Sequence, residues 1–486
     1  MDKLKELKNR RDEIISGGAS VSGGKLSARE RISLLFDNGS FIETDMFSGR
    51  DELAPGQGVI TGYGTVDQRL VYVYAQDSSV KGGAFGAEQA KKICKIADLA
   101  IKTGAPLVGL FDSFGIKVQE GLMALSALGE LYQRNIKASG VILQISAIMG
   151  PCDGGTAYSP AMSDFVFMTE NASHMLINGP SVCSKEGKAY TIEELGGAKV
   201  HAQQSGTAHF LASDDADCIS KIRKLLTFLP SNNAQCSPEY ALGDDLNRLS
   251  DLLNQEGIEK SALIKEIADN QEFLEVFENY AKNIITGFVR INGRTVSVVA
   301  NNGSLDMNAA NKAARFIRFA DSFNIPIVTF TNVEGFVPDA SQEQNGLIRN
   351  VSKLVYAYGE ATVPKVTVIT GKAYGSAAIA MGSRACGADY VLSWPETSIG
   401  AMSGDMAAIL LYGEALNDAK DPVSKRAELK EQYEQEVSSA FEAAKIGFID
   451  DIIEPETTRP KIAAALEMLY DKREDVPCRK HGNISL

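Results

Sequence analysis

Histidine, paired cysteine and long apolar runs are what this chain has least of, and each shortage removes a class of function. The 486 residues hold four histidines, His174, His201, His209 and His481, none in an HExxH spacing or beside a cysteine pair. Cys94, Cys152, Cys183, Cys218, Cys236, Cys386 and Cys478 are scattered, with no CxxC among them. That argues against a structural zinc ribbon and for reduced thiols in the cytoplasm. Cys152, beside a glycine turn, reads first as a small packed residue and only second as a nucleophile. His201 and His209 read as hydrogen-bonded structural residues ahead of a shared site, and no metal is expected. A nucleophile elbow, a Walker A loop and a dinucleotide fingerprint are all missing from the places where they would work. Nowhere does an apolar run approach the roughly 18 residues of a membrane span, so no direct membrane insertion is expected. The opening MDKLKELKNRRDEIIS is charged and unlike a signal peptide. A net charge of -13 disfavours nucleic acid and anionic membrane surfaces. A local basic pocket for an anionic ligand stays possible.

Repetition is what the chain does have. APLVGLFDSFG (Ala105 to Gly115) returns as IPIVTFTNVEG (Ile325 to Gly335), with proline and glycine nine positions apart in both copies. Each copy continues to a second apolar strand and a small-residue turn, VILQISAIMGPCDGG (Val141 to Gly155) and KVTVITGKAYGSA (Lys365 to Ala377). The offset is 220 residues at the prolines and 221 between Gly154 and Gly375. A lysine-bearing helical stretch precedes both copies, with Lys92 and Lys312 each fourteen residues before its proline. Repetition at this length means duplicated domains rather than a short-period solenoid. The expected organisation is an N-terminal domain over 1–235, a helical connector over 236–282, acidic and rich in Leu, Ile and Phe, and a C-terminal domain over 283–486.

Within that frame the local signals are specific. Residues 1–16 read as a charged helix and GGASVSGG (17–24) as a flexible connector. KLSARERISLLFD reads as a helix with Ser27 as N-cap and Glu30 in the capping-box position. GVITGYGTV and RLVYVYAQD alternate as antiparallel strands, and a helix is expected from about Ala87 to Thr103. The nearly all-apolar segment 106–111 fits a buried parallel strand. Asn292-Gly293 marks a hairpin. Val423 to Ala444 reads as one long charged helix. Strand and helix alternate throughout, so the fold class is α/β.

The chemistry left to such a chain is backbone chemistry. Small-residue turns between a parallel strand and a helix present peptide N–H groups at the positive end of the helix dipole, where oxyanions bind. Two such groups make an oxyanion hole, and losing one donor costs roughly 3 kcal/mol. A lone Gly-Gly is more often only a tight turn; the duplicated placement reverses those odds.

The segments GKLSARERISLLFDNGSF, AQDSSVKGG, DSFGIKVQEG, QISAIMGPCDGGTAYSPAMSDFVFM, EELGGAKVHAQQSGTAHF, NKAARFIRFADSFNIPIVTF, QEQNGLIR and GADYVLSWPE run in order over nearly the whole chain. On these residues the chain resembles the carboxyltransferase subunit of biotin-dependent acyl-CoA carboxylases and decarboxylases, in the propionyl-CoA carboxylase and methylmalonyl-CoA decarboxylase group. The resemblance implies two tandem crotonase-like domains of ββα spiral architecture. It implies an active site at a dimer interface, with acyl-CoA on the first domain and biotin on the second. Carried over by position, Gly154 and Gly155 hold the thioester enolate, and Ser376 and Ala377 hold the biotin ureido oxygen. Gly82, Gly83, Ala84, Gly115, Lys117 and Tyr158 are implied on the acyl-CoA side. Gly335, Phe336, Gly375, Ala378 and Ile379 are implied on the biotin side, Ile379 where acyl size is tuned.

The implied substrate pair is propionyl-CoA and methylmalonyl-CoA, with biotin on a separate carrier protein and no metal. Implied partners are that carrier, a biotin carboxylase or membrane decarboxylase subunits, and further copies of the chain in a hexamer. Several loop residues depart from the family pattern: Lys81, Phe114, Ile116, Lys117, Glu334, Asp339 and Ser376. Two other readings therefore stand beside the first, a biotin-independent crotonase-like acyl-CoA enzyme and a non-catalytic assembly subunit.

Overall fold

In the computed structural model, residues 2–16, 24–48, 55–184, 188–241, 243–255 and 257–485 are described. Apart from Gly24, the expected glycine-rich connector 17–24 lies outside them. The chain divides into two compact units, Met1–Cys236 and Ser237–Leu486.

The N-terminal unit is built on one eight-stranded sheet. Its strands are β1 (Ile42–Thr44), β2 (Val59–Val66), β3 (Arg69–Gln76), β4 (Leu107–Ser113), β5 (Gln144–Asp153), β6 (Phe165–Thr169), β7 (His174–Leu176) and β8 (Phe210–Ala212). The order is β1-β2-β3-β4-β5-β6-β8, with β7 also on β5. Strands β1 to β3 pair antiparallel, and from β3 onward the pairing is parallel. The C-terminal sheet repeats this strand for strand, with β9 (Phe273–Val276), β10 (Ile284–Ile291), β11 (Arg294–Asn301), β12 (Ile327–Val333), β13 (Lys365–Tyr374), β14 (Tyr390–Ser393), β15 (Ser398–Gly400) and β16 (Asp451–Ile452). Its order is β9-β10-β11-β12-β13-β14-β16, with β15 on β13. The repeat predicts this duplication, and the family resemblance implies the tandem crotonase-like α/β architecture that it takes.

The repetition reaches individual residues. Ser27 and Glu30 close the predicted capping box on helix Ala28–Leu35. Both hairpins turn through two left-handed residues, Asp67 and Gln68 in one unit, Asn292 and Gly293 in the other. That geometry matches the strand twist. Asp37 accepts from the amides of Asp67 and Gln68 and pairs with Arg223. Asp269 accepts from the Gly293 amide and pairs with Arg459.

Helices Ala87–Thr103 and Met307–Ser322 lie at the matching place after their hairpins. Each buries one lysine. The ammonium of Lys92 donates to the carbonyls of Gly56 and Val59 at 2.9 and 2.6 Å. That of Lys312 donates to Phe277, Tyr280 and Ile284 at 2.9, 2.8 and 2.7 Å. A buried charge is tolerable only when its donors are occupied, as here. Each half has its own apolar core beneath its sheet, around Leu107, Ile148 and Val166 in one and Val298, Phe330 and Val368 in the other.

Two expectations change. Among the described residues of the 236–282 stretch, only Lys260–Ile267 is α-helical. Short 3-10 turns, broken at Asn270, and strand β9 make up much of the rest. Leu253, Leu263, Ile264 and Ile267 belong to the C-terminal core, so this stretch is part of that unit. Its Asn and Asp residues favour turns, which interrupts the helical spacing. The long charged helix is also two helices, Pro422–Glu436 and Ala440–Lys445, the second capped by Ser439. The break lets the buried Ser438 carbonyl accept from the Ile399 amide.

Candidate active site

In the N-terminal unit the ends of β3, β4 and β5 bring three loops together. Gly82 and Gly83 both adopt left-handed φ values, 65° and 63°. A Cβ on Gly83 would lie 2.3 Å from the Asp112 carbonyl oxygen, so only glycine fits. The Phe114 amide donates to the Gly82 carbonyl, the Phe85 amide to Gly115, and the Lys117 amide to Phe85, at 3.2, 2.8 and 2.8 Å. Gly82, Gly83, Ala84, Gly115 and Lys117 are thereby joined. Gly115 in turn packs on the Asp153 carbonyl, which leads directly into Gly154. The Lys117 ammonium sits 3.8 Å from Glu120, whose carboxylate takes the Ala87 amide at the start of a helix.

Asp153 is extended (φ -107°, ψ 150°), Gly154 turns left-handed at φ 64°, and the chain coils through Gly154–Ala157 into Tyr158–Ala161. The first amides of such a coil have no acceptor within it. No protein atom approaches the Cβ position of Gly154 within 4 Å, whereas Gly155 is closely backed by Leu128 and Tyr132. Tyr158 is half exposed, its ring edge-on to Tyr132.

The C-terminal unit repeats the ladder. The Leu305 amide donates to Gly335 and the Val337 amide to Leu305, at 3.2 and 2.9 Å, with Phe336 bridging Leu305. The strand irregularity between Phe111 and Ser113 recurs between Thr331 and Val333. Tyr374 is extended (φ -111°, ψ 138°), Gly375 is left-handed at φ 58°, and helix Gly375–Ala380 follows. By conformation Gly154 corresponds to Gly375 and Gly155 to Ser376. The expected pair Ser376 and Ala377 therefore begins one residue later than its counterpart, within the same turn. Ser376 is not among the residues with positive φ, so its side chain adds no backbone strain. Ala377 and Ala378 are buried, and Phe336 and Ile379 are partly so.

Two of the departures acquire partners. Glu334 forms an ion pair with Lys372 on β13, which holds the Lys372 ammonium above its ordinary pKa. Asp339 caps helix Ala340–Gln344 through the Ser341 amide. Cys152 is fully buried, and burial pushes its thiol up to about 12, which leaves no thiolate to act as a nucleophile. His209 accepts from the Val166 amide, and His201 contacts the Met175 carbonyl and Ser205. Both are structural, and no shared site forms from them.

Sequence spacing gave no sign of what stands behind the first ladder. Asp112 is buried between Arg31 and Lys25, and Arg31 also holds Asp215 at 2.8 Å. Tyr132 donates its hydroxyl to the Gly155 carbonyl at 2.5 Å. Asp153 lies 3.3 Å from His174. These pairings join residues far apart in sequence, and no motif marks them.

Comparison with known proteins agrees along the length of the chain. The carboxyl transferase domain family matches residues 19–484. Methylmalonyl-CoA decarboxylase subunit alpha of Propionigenium modestum is 45% identical, covering 100% of this chain and 99% of the relative. The carboxyltransferase subunit of propionyl-CoA carboxylase from Haloferax mediterranei is also 45% identical, with coverage of 100% and 99%. Among solved structures, transcarboxylase 12S, described as a hexamer assembly with methylmalonyl-CoA bound, superposes with a TM-score of 0.94. It is 41% identical and the match covers 99% of this chain and 97% of that one.

Proposed function

The chain belongs to the carboxyl transferase domain family, and from that premise we propose that it moves a carboxyl group between biotin on a separate carrier protein and a short acyl-CoA. Propionyl-CoA and methylmalonyl-CoA form the proposed pair, because the relatives named above carry those substrates in their names. The observation that carries the reading is the duplicated turn, left-handed at Gly154 (φ 64°) and Gly375 (φ 58°), each after a parallel strand and before a helix.

The first turn directs the amides of Gly154 and Gly155 at the thioester oxygen, where negative charge grows as the α-carbon becomes an enolate. Gly82, Gly83, Ala84, Gly115 and Lys117 line the acyl-CoA side, with the Lys117 ammonium available to the ligand's phosphates, and Tyr158 borders the acyl group. The second turn offers the amides of Gly375, Ser376 and Ala377 to the ureido oxygen, bordered by Gly335, Phe336, Ala378 and Ile379. Biotin, when bound, supplies the nitrogen that carries the carboxyl group. The small side chains around both turns allow close approach of backbone to ligand and exclude water from the reacting atoms. A separate biotin carrier is required, with a biotin carboxylase or decarboxylase subunits as further partners, and a hexamer is the proposed assembly.

The test is incubation of the purified chain with methylmalonyl-CoA and malonyl-CoA, with and without free biotin, followed by mass spectrometry of the acyl-CoA products. Biotin-dependent loss of CO2 is expected. Loss without biotin would move the chain to a biotin-independent crotonase-like activity. Absence of turnover in the presence of the carrier would leave an assembly role.

A further inference from the structure

Helix Leu122–Ala138 carries a polar latch onto the first turn that has no counterpart in the second among the described residues. The Tyr132 hydroxyl donates to the Gly155 carbonyl at 2.5 Å. One turn further along, Asn135 accepts from the Ser159 hydroxyl at 2.8 Å and is itself held by Gln144 at 3.0 Å. Both bonds tie the helix to the segment that begins at Gly154. The Tyr132 ring also meets the Tyr158 ring edge-on, with centroids 5.9 Å apart.

In the matching helix Leu347–Glu360 the equivalent residues are Val355 and Tyr358, because Lys365 donates to the Tyr358 carbonyl as Gln144 does to that of Asn135. The Val355 side chain has no polar group to offer, and the Tyr358 hydroxyl pairs with Thr329 at 2.9 Å instead. Among the described residues, the duplication has therefore kept both turns while giving only the first this side-chain restraint.

We infer that Tyr132 is a positioning residue for the first oxyanion hole. Its hydrogen bond fixes the peptide after Gly155 and hence the ψ angle of that glycine. Gly155 has no side chain of its own to limit its motion. Preorganised donors act because they need no reorientation when charge appears. Removing the phenol oxygen should thus affect the transition state more than the ground state.

The inference rests on the first turn being the thioester's hole, and the experiment separates the two. Wild-type chain and Tyr132→Phe are compared in biotin-dependent decarboxylation of methylmalonyl-CoA, in binding of an enolate-mimicking nitronate analogue of propionyl-CoA against propionyl-CoA itself, and in thermal melting. Tyr132→Phe should lower kcat about tenfold, less than loss of a direct donor, with KM within about twofold. A purely structural role would shift melting and leave that split absent. A kcat within twofold of wild type, or a loss shared equally by kcat and KM, overturns the proposal. If the wild type itself shows no biotin-dependent turnover, the functional reading fails in that arm alone, and binding decides Tyr132. A wild-type preference for the nitronate over propionyl-CoA that weakens in Tyr132→Phe supports it. An unchanged preference, or none in the wild type, overturns it.

Discussion

Asp112 and Asn332 occupy the same place, one residue into the irregularity that ends β4 and β12, yet they are held by opposite means. In the N-terminal unit a carboxylate is enclosed by Arg31 and Lys25, both brought from the segment ahead of the first sheet. In the C-terminal unit a neutral amide does the work: Asn332 exchanges backbone bonds with the Asn301 side chain and accepts from the Lys372 amide at 2.8 Å. The strand behind is glycine in both cases. A Cβ on Gly150 would meet Asp112 at 2.0 Å, and one on Gly371 would meet Asn332 at 2.4 Å. One backbone solution is therefore supported by ions on one side and by amides on the other. The ladder is what the duplication preserved, and its support was free to diverge.

The comparison can be broken most strongly at Arg31, which is 1% exposed and joins two carboxylates. Replacing Arg31 by Met leaves Asp112 and Asp215 buried with only Lys25 near one of them, a loss expected to cost about 3–5 kcal/mol. The single tryptophan, Trp394, lies in the C-terminal unit. Circular dichroism should therefore show the loss while Trp394 fluorescence changes less. An unchanged melting curve would mean that the ions are not what supports the first ladder.

Next in size are the left-handed glycines. Gly154→Ala meets no atom within 4 Å, and Gly375→Ala meets only the Ala401 carbonyl at 3.2 Å. Neither creates a serious clash, so the effect comes from φ, at about 1–2 kcal/mol of backbone strain. Relaxation of that strain turns the amides away, and turnover should drop about 100-fold in each. A large drop for one glycine with none for the other would show that the two turns are not functional counterparts.

Exchanging the supports is a milder intervention. Asp112→Asn removes the charge between Lys25 and Arg31, and Asn332→Asp adds a charge where the amide neighbours offer no cation on that side chain. Each should cost about 1–3 kcal/mol, read by denaturant titration. Stability within error of wild type in both would mean that the two supports are interchangeable.

Much of this comparison was visible in the sequence, and the reason is conformational. Gly83, Gly115, Gly154 and Gly375 sit where a side chain clashes or a left-handed φ is needed, so their spacing survived duplication and could be read as an offset of 220 to 221 residues. The capping box at Ser27 and the Asn292-Gly293 hairpin are likewise local, fixed by residues a few positions apart. Long-range support leaves no such trace. Arg31 and Asp215 are 184 residues apart, and nothing in the spacing of either points to the other. Tyr132 escaped for the same reason. The 236–282 stretch has the spacing of a helix without forming one throughout, because apolar residues at helical intervals also occur where turns carry them one by one into a neighbouring core.

A smaller effect separates the two hairpin anchors. Asp37 is held down to about 2, first by the Gln68 amide, then by Thr65, Arg223 and the Asp67 amide. A carboxylate whose folded pKa lies below its unfolded value of about 3.9 adds stability above that value and loses it as pH falls through the folded one. Acid should therefore weaken the N-terminal hairpin between about pH 4 and pH 2, and Asp37→Asn should flatten that part of the profile. A profile unaltered by the substitution would place the acid sensitivity elsewhere.

The smallest effect expected is at Ser376, which the sequence alone marked as a weak point in the second turn. The left-handed angle that excludes side chains falls on Gly375, one residue earlier, and Ser376 carries none. Its side chain is exposed, so it neither crowds the turn nor strains it. Ser376→Gly should accordingly change turnover by less than about threefold, because it adds backbone freedom at the amide without relieving any strain. Replacing Glu334 by Pro is different in kind, because it frees Lys372 from its ion pair and leaves a cation beside the second turn. Turnover that rises tenfold or more in Ser376→Gly alone would show that the serine side chain, and not the glycine before it, limits the second hole. Turnover that moves only when Glu334 is also replaced would locate the limit in the Lys372 pair.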